Sequence, residues 1–172
     1  SVIPLVHYHR STMTVAESAA VRTARGQSFS GKVAIVTGGA RGIGAAISED
    51  LARRGAHVAA GYSRDSESAA RMQDRLSEEG GSVSIHQGNV GVPEDCDRVF
   101  DEVVRGYGRV DFLVNNAGIT VDKTVRKMSV DDWHAVMRVN HSGAFYMITA
   151  DPDHSPHRAS ARTAHGAPGL AP

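Results

Sequence analysis

An incomplete doubly wound α/β fold, a parallel sheet with helices on both faces, is what this 172-residue sequence predicts. Three observations predict it. Short apolar runs rich in Val, Ile and Ala alternate four times with segments of helical period, as βαβ units do. A glycine-rich turn, "TGGARGIG" at 37–44, joins the first run to the first helical segment. The alternation then ceases near residue 150.

Each element has its own signal. "KVAIVT" at 32–37 is a continuous run that suits a strand buried on both faces. The helix after the glycine turn carries Ile43, Ile47 and Leu51 on one face and stops at Gly55. "HVAAGY" at 57–62 is the second strand, followed by a helix over roughly 64–79 with Ala69, Met72 and Leu76 inward. "SVSIHQ" at 82–87 is the third. Pro93 opens the next helix, with Glu94 and Asp95 in the first turn, where negative charge meets the positive helix end. Its apolar face is Cys96, Val99, Phe100, Val103, Val104 and Tyr107. "VDFLVNN" at 110–116 is the fourth strand. Ser129 and Asp132 have capping-box-like spacing and begin a helix bearing Trp133, Val136, Met137, Asn140 and Ala144.

The two ends read differently. Residues 1–30 show no sustained period and are expected to be a disordered extension; a transit peptide is the other reading. Residues 31–150 form the nucleotide-binding unit argued below. From Asp151 the period vanishes; residues 151–172 hold four of the six prolines and one large apolar residue, Leu170. Such a segment buries too little surface to offset its ordering entropy and is expected to be disordered. Its histidines at 154, 157 and 165 have no rigid frame, so no metal site is expected.

Composition excludes several function classes. Nineteen basic and nineteen acidic side chains cancel, which gives no electrostatic case for a nucleic-acid or membrane partner. The lone Cys96 rules out an intrachain disulfide framework and a cysteine-based zinc cluster, and fits a reducing cytoplasm. The apolar runs are too short to span a bilayer.

The chemistry is concentrated in the turn. Thr37 stands at the strand end, and Gly38, Gly42 and Gly44 let the backbone bend sharply and approach a pyrophosphate. The helix amides after Gly42 point at that anion. The spacing T-G-x3-G-x-G resembles the short-chain dehydrogenase/reductase family, as does "NNAG" at 115–118, over roughly residues 30–150. The resemblance implies a Rossmann sheet ordered 3-2-1-4, with the family's later strands and helices missing after about residue 150. It places Thr37, Gly38, Arg41, Gly42, Ile43, Gly44, Ser63, Arg64, Asn89, Val90, Asn116, Ala117 and Gly118 at the cofactor, with Asn89 and Val90 near adenine. It makes Asn140 the helix asparagine that helps hold a water in the proton relay. "NNAGITVDKTVRKMSVDDW" looks like the reductases of 3-oxoacyl thioesters, carried on acyl-carrier protein or coenzyme A, and "GYSRDSESA" leans toward the acetoacetyl-CoA group. Homo-oligomers, pairing through the Asn140 helix and the one after it, are implied for full-length members.

Charge argues the cofactor. A chain preferring NAD(H) places an acid at the end of the second strand to accept from the ribose hydroxyls. Here Gly61, Tyr62, Ser63 and Arg64 stand there, with Arg41 in the glycine loop. Arginine binds phosphate through charge-assisted hydrogen bonds, so NADP(H) is expected. Asp65, one residue on, keeps NAD(H) open.

The family's proton donor is a tyrosine followed four residues later by a lysine, with a serine orienting the carbonyl. Four residues after Tyr8, Tyr62, Tyr107 and Tyr146 stand Thr12, Ser66, Asp111 and Ala150, so no Tyr-x3-Lys occurs in the sequence. A truncation or frameshift after residue 150 is the expectation this raises, with natural divergence as the alternative. The polypeptide itself is expected to be inactive; the alternatives are a noncatalytic nucleotide-binding remnant and a pseudogene product with no stable state.

Overall fold

A computed structural model describes residues 28–151. The expectations for 1–27 and 152–172 lie outside the described residues. Ser28–Gly31 form a turn in which Phe29 N–H donates to Arg54 O (3.0 Å), and the Phe29 ring meets Phe112 edge-on at 5.3 Å.

Four parallel strands, β1 (Val33–Val36), β2 (His57–Tyr62), β3 (Ser82–Gln87) and β4 (Phe112–Val114), are ordered β3-β2-β1-β4. The helices are α1 (Gly42–Arg53), α2 (Ser66–Glu78), α3 (Pro93–Tyr107), α4 (Val130–Met137) and α5 (Gly143–Thr149). The expected order 3-2-1-4 is the observed one.

Alternation within the strands feeds two cores. Val36, Val58, Ala60 and Val83 pack with Ala52 of α1 and with Met72 and Leu76 of α2. Val33, Ile35 and Ala59 face the opposite side and pack with Cys96, Phe100 and Val103 of α3 and Met147 of α5. A strand covered on both faces has no need of polar alternation, which is why β1 reads as an unbroken apolar run. Ile35 and Leu76 are each 1% exposed, and burying such a side chain stabilises the fold by about 1.5–3 kcal/mol.

Three expectations are corrected. The buried stripe of α1 is Gly44, Ser48 and Ala52, one position on from the larger apolar residues; Ile47 and Leu51 flank it, and Ile43 is 77% exposed. Small residues on the stripe let α1 lie close on the sheet. Tyr107 lies at the exposed end of the α3 face, where its ring stacks on His57 at 3.4 Å. The helix begun by Ser129 has the full capping box, with Ser129 Oγ accepting from Asp132 N–H (3.0 Å) and Asp132 from Ser129 N–H (2.9 Å). It does not run through evenly. A π turn, Arg138–Ser142, separates α4 from α5, and α4 buries no residue; Trp133 is 55% exposed.

Candidate nucleotide site

The strand-to-helix turn is built on Thr37, which is 4% exposed. Its Oγ1 accepts from the backbone N–H of Asn116 and of Ala117, each at 3.0 Å, and donates to Val114 O at 3.3 Å. The β1–β4 pairing thus ends in a side-chain clamp, which explains why β4 stops at Val114 and the expected strand through Asn116 does not. Asn116 answers across the gap: its Nδ2 donates to Thr37 O (2.9 Å) and Gly38 O (3.3 Å). Without the Thr37 hydroxyl, the Ala117 amide would lose this acceptor, costing about 1–3 kcal/mol if it stayed buried, while the Asn116 amide would keep Val114 O (3.1 Å).

Two glycines are required by the backbone. Gly38 and Gly42 sit at φ 63° and 56°, where a side chain is strained. Gly44 is required by space, because a Cβ there would stand 2.1 Å from Gly38 O and 2.5 Å from Asn116 Nδ2. Gly39 is equally confined, with Val36 O 2.7 Å and Ser48 Oγ 2.9 Å from its Cβ position. Buried Ser48 locks this turn by donating to Gly39 O (3.0 Å). Sequence reasoning passed over Gly39 and Ser48. The doubled glycine was the available signal for the first; a serine in mid-helix gave none for the second.

The turn opens onto a cleft of about 1060 Å³ at the carboxyl ends of the strands. Thr37, Gly38, Arg41, Gly42, Ile43, Gly44, Ser63, Arg64, Asn89, Val90, Asn116, Ala117 and Gly118 all line it. Gly61, at the end of β2, lines it too, as do Ile119, Thr120 and Val139, which were not singled out from sequence. Strand order reverses at β1, with β2 on one side and β4 on the other, the switch point where open α/β sheets bind ligands. The first amides of α1 have no partner within the helix and are anion donors.

Asn140 stands outside the lining. Its Oδ1 accepts from Ile119 N–H (2.8 Å) and its Nδ2 donates to Ile119 O (2.9 Å), so the π turn holds the loop after Gly118 by both backbone groups. Gly143 lets this helix approach Val90, whose Cγ2 would be 2.8 Å from an added Cβ.

Electrostatics separate the acids and bases of the rim. Arg41 and Arg64 both line the cleft. Asp65 lines it as well, but its carboxylate caps α2 by accepting from Ser68 N–H (2.9 Å). That backbone hydrogen bond, then the Ser68 side chain and the charges of Arg71 and Arg41, hold its pKa below the usual carboxylate value against a small effect of burial. Cys96 borders the cleft but is no nucleophile: burial, then Asp97 and Asp95, push its thiol up to about 11. Among the described residues no group of side chains could hold a metal ion, and no helix is long and apolar enough to cross a membrane.

This geometry has known counterparts. The chain is 39% identical over 123 residues to a 3-oxoacyl-[acyl-carrier-protein] reductase of Salmonella typhimurium, covering 72% of this chain and 49% of that protein. It is 38% identical over 117 residues to versicolorin reductase of Emericella nidulans, covering 68% and 44%. Tetrahydroxynaphthalene reductase of Pyricularia oryzae is 34% identical over 120 residues, covering 70% and 42%. Among solved structures, a dehydrogenase/reductase from Sinorhizobium meliloti superposes with TM-score 0.73 at 34% identity, covering 78% of this chain and 54% of that one. A short chain dehydrogenase from Burkholderia cenocepacia, solved in complex with NADP, gives 0.70 at 35% identity, covering 74% and 52%. The chain therefore spans about half the length of the relatives it matches. The family model for short chain dehydrogenases matches residues 32–158, and with the glycine turn, the Thr37–Asn116 clamp and the sheet order it places this chain in the short-chain dehydrogenase family.

Proposed function

We propose that these residues form the nucleotide-binding half of an NADPH-dependent reductase, and that the whole protein reduces a 3-oxoacyl thioester to its 3-hydroxy form. The observation that carries the cofactor choice is the pairing of Arg41 and Arg64 on the rim with an Asp65 already occupied as a helix cap. A 2′-phosphate meets two cations there and no free carboxylate. The first amides of α1 receive the pyrophosphate, Asn89 and Val90 border the base, and Asn116, Ala117 and Gly118 border the nicotinamide side. Bound NADPH supplies a hydride to the substrate carbonyl carbon. Asn140 fixes the Ile119 backbone at the edge of that cleft and so positions the relay for the proton.

The thioester substrate rests on "NNAGITVDKTVRKM" and on the similarity to the carrier-protein reductase. A second reading, a polycyclic aromatic ketone, is favoured by the comparable identity to versicolorin and tetrahydroxynaphthalene reductases. The proton donor is a separate matter. No Tyr-x3-Lys lies in the 172 residues, so a polypeptide of these residues alone is expected to bind nucleotide without turnover. A reducing cytoplasm suits the reading.

Fluorescence titration of the polypeptide with NADPH and NADH tests the cofactor. NADPH should bind more tightly, and Arg41→Ala with Arg64→Ala should cost it about 1.5–3 kcal/mol, the value of hydrogen bonds to a charged group. Equal affinities for the two nucleotides, unchanged in the double variant, would reduce both arginines to surface residues.

A further inference from the structure

At the base-side corner of the cleft stands a charged cluster that the proposed function does not use, with Asp95 and His86 in the lining and Arg98 and Glu102 behind them. Arg98, on the second turn of α3, does not line the cleft. Its Nη2 donates to the backbone O of Gln87 (2.8 Å), the last residue of β3, and to Asp95 Oδ1 (2.9 Å). Its Nη1 donates to Glu102 Oε1 (2.9 Å). Each carboxylate has a second task. Asp95 Oδ2 accepts from Asn89 N–H (2.9 Å), and Glu102 Oε2 accepts from His86 Nδ1–H (2.9 Å). One guanidinium therefore grips the chain on both sides of Gly88, directly through Gln87 and through Asp95 at Asn89.

The consequence falls on Asn89. Its N–H is held by Asp95, its carbonyl accepts from Val92 N–H (2.9 Å), and its Oδ1 accepts from Gly91 N–H (3.0 Å). That leaves the amide nitrogen Nδ2 as the donor Asn89 can offer a ligand. The corner cannot shift sideways: a Cβ on Gly88 would stand 2.9 Å from Val99 Cγ2, and Cys96 Sγ donates to Val90 O (3.4 Å). The cluster is electrostatically matched. Hydrogen bonds from Asn89 N–H and Arg98 hold Asp95 below the usual carboxylate range, and those to Asp95 and Glu102 push Arg98 up.

Exposed pairs at these helical spacings contribute only a few tenths of a kcal/mol to stability. Their arrangement around one turn of chain points instead to geometry. We infer that Arg98 is a positioning residue for the nucleotide cleft, orienting Asn89 through Asp95 without touching the ligand. The inference rests on the reading of the cleft as a dinucleotide site and adds a residue outside its lining to the binding apparatus.

The test uses 2′,5′-ADP, which carries the adenosine half alone, and NADPH, titrated against the 172-residue polypeptide and its Arg98→Ala, Arg98→Lys and Asp95→Asn variants. Arg98→Ala should weaken both ligands by the same factor, about five- to tenfold for the loss of an oriented hydrogen bond. Arg98→Lys keeps the charge and the helix pairs but cannot hold Gln87 O and Asp95 together. It should keep the urea midpoint of the parent and still lose affinity, a split that a role in stability alone would not produce. Asp95→Asn should weaken 2′,5′-ADP as well, because its link between Arg98 and Asn89 is impaired. Parent-like affinity in Arg98→Lys and Arg98→Ala, with the parent binding normally, overturns the positioning role alone. Loss of affinity only in samples that also lose far-UV ellipticity overturns it in favour of a folding role. Failure of the parent to bind either ligand overturns the dinucleotide reading, and this inference with it.

Discussion

His57 shows what a single side chain costs this fold. It starts β2, and its ring lies between Tyr107 and the serines of β3. The Glu102 carboxylate can only accept, so His86 Nδ1 donates to it, and in the neutral ring His86 Nε2 accepts from the Ser84 hydroxyl (2.8 Å). Ser84 Oγ then accepts from His57 Nε2–H (3.1 Å), and Ser82 Oγ donates to His57 Nδ1 (2.7 Å). With both rings neutral every bond is made in one direction. A proton on His57 reverses the last bond and adds charge to a half-buried ring. Burial, and then His86, accordingly push its pKa from 6.5 down to about 4. The unfolded chain takes this proton at the higher value, so between the two it binds more protons than the folded chain. Stability should therefore be undiminished by this group above pH 6.5, fall progressively as pH drops toward 4, and lose nothing more from it below that. Urea midpoints measured across that window should slope upward with pH, and His57→Asn should flatten the slope. An unchanged slope in the variant would assign it to another titrating group.

Elements differ in how plainly the sequence announces them. β2 was legible to the residue because a parallel strand buried on both faces must be an apolar or β-branched run, and β3 because an edge strand alternates, with Val83 and Ile85 between Ser82, Ser84 and His86; each is closed by glycine or polar residues. The inward face of α2 was legible for the same reason of period: Ala69, Met72 and Leu76 are buried as expected. α1 was misread because its contact stripe is chosen by closeness, which favours Gly44, Ser48 and Ala52 over larger neighbours that flank it. The glycine turn was legible in its spacing, but the Thr37–Asn116 clamp joins residues 79 apart, and the Arg98 cluster spans β3, a corner and α3; no local pattern encodes either. The π turn at Arg138–Ser142 was equally hidden, since helical period alone cannot show one extra residue in a turn. Its use is visible only with Ile119 in place. Asn140→Ala should release the Ile119 amide, speeding its hydrogen exchange by about tenfold, the worth of roughly one hydrogen bond. Equal protection of a 115–122 peptide in both proteins would mean the loop is held by something other than Asn140.

On the scale of the whole molecule, the two edges of the sheet are finished differently. The β3 edge carries Ser82, Ser84 and His86, whose side chains are tied to His57 and Glu102, and α2 joins it through Gln73 Nε2 donating to Val83 O (3.0 Å). Polar side chains at an edge discourage pairing with another chain. The β4 edge is Phe112, Leu113 and Val114, each only half buried, and among the described residues no strand pairs with its outer side. Helical residues elsewhere add exposed apolar surface: Trp133 is 55%, Phe145 61% and Ile148 53% exposed. A short apolar edge is a template for pairing, and exposed aromatic side chains favour association. A polypeptide of these 172 residues is therefore expected to associate as its concentration rises into the tens of micromolar, with a broad thermal transition where it does. Fusing to its end the remaining half of a family relative, which supplies a strand beside β4, should give a discrete species with a sharp melt. Light scattering coupled to size exclusion distinguishes the outcomes. A monodisperse monomer over that whole range, melting cooperatively without the fused half, would show that the β4 edge is protected by the chain itself.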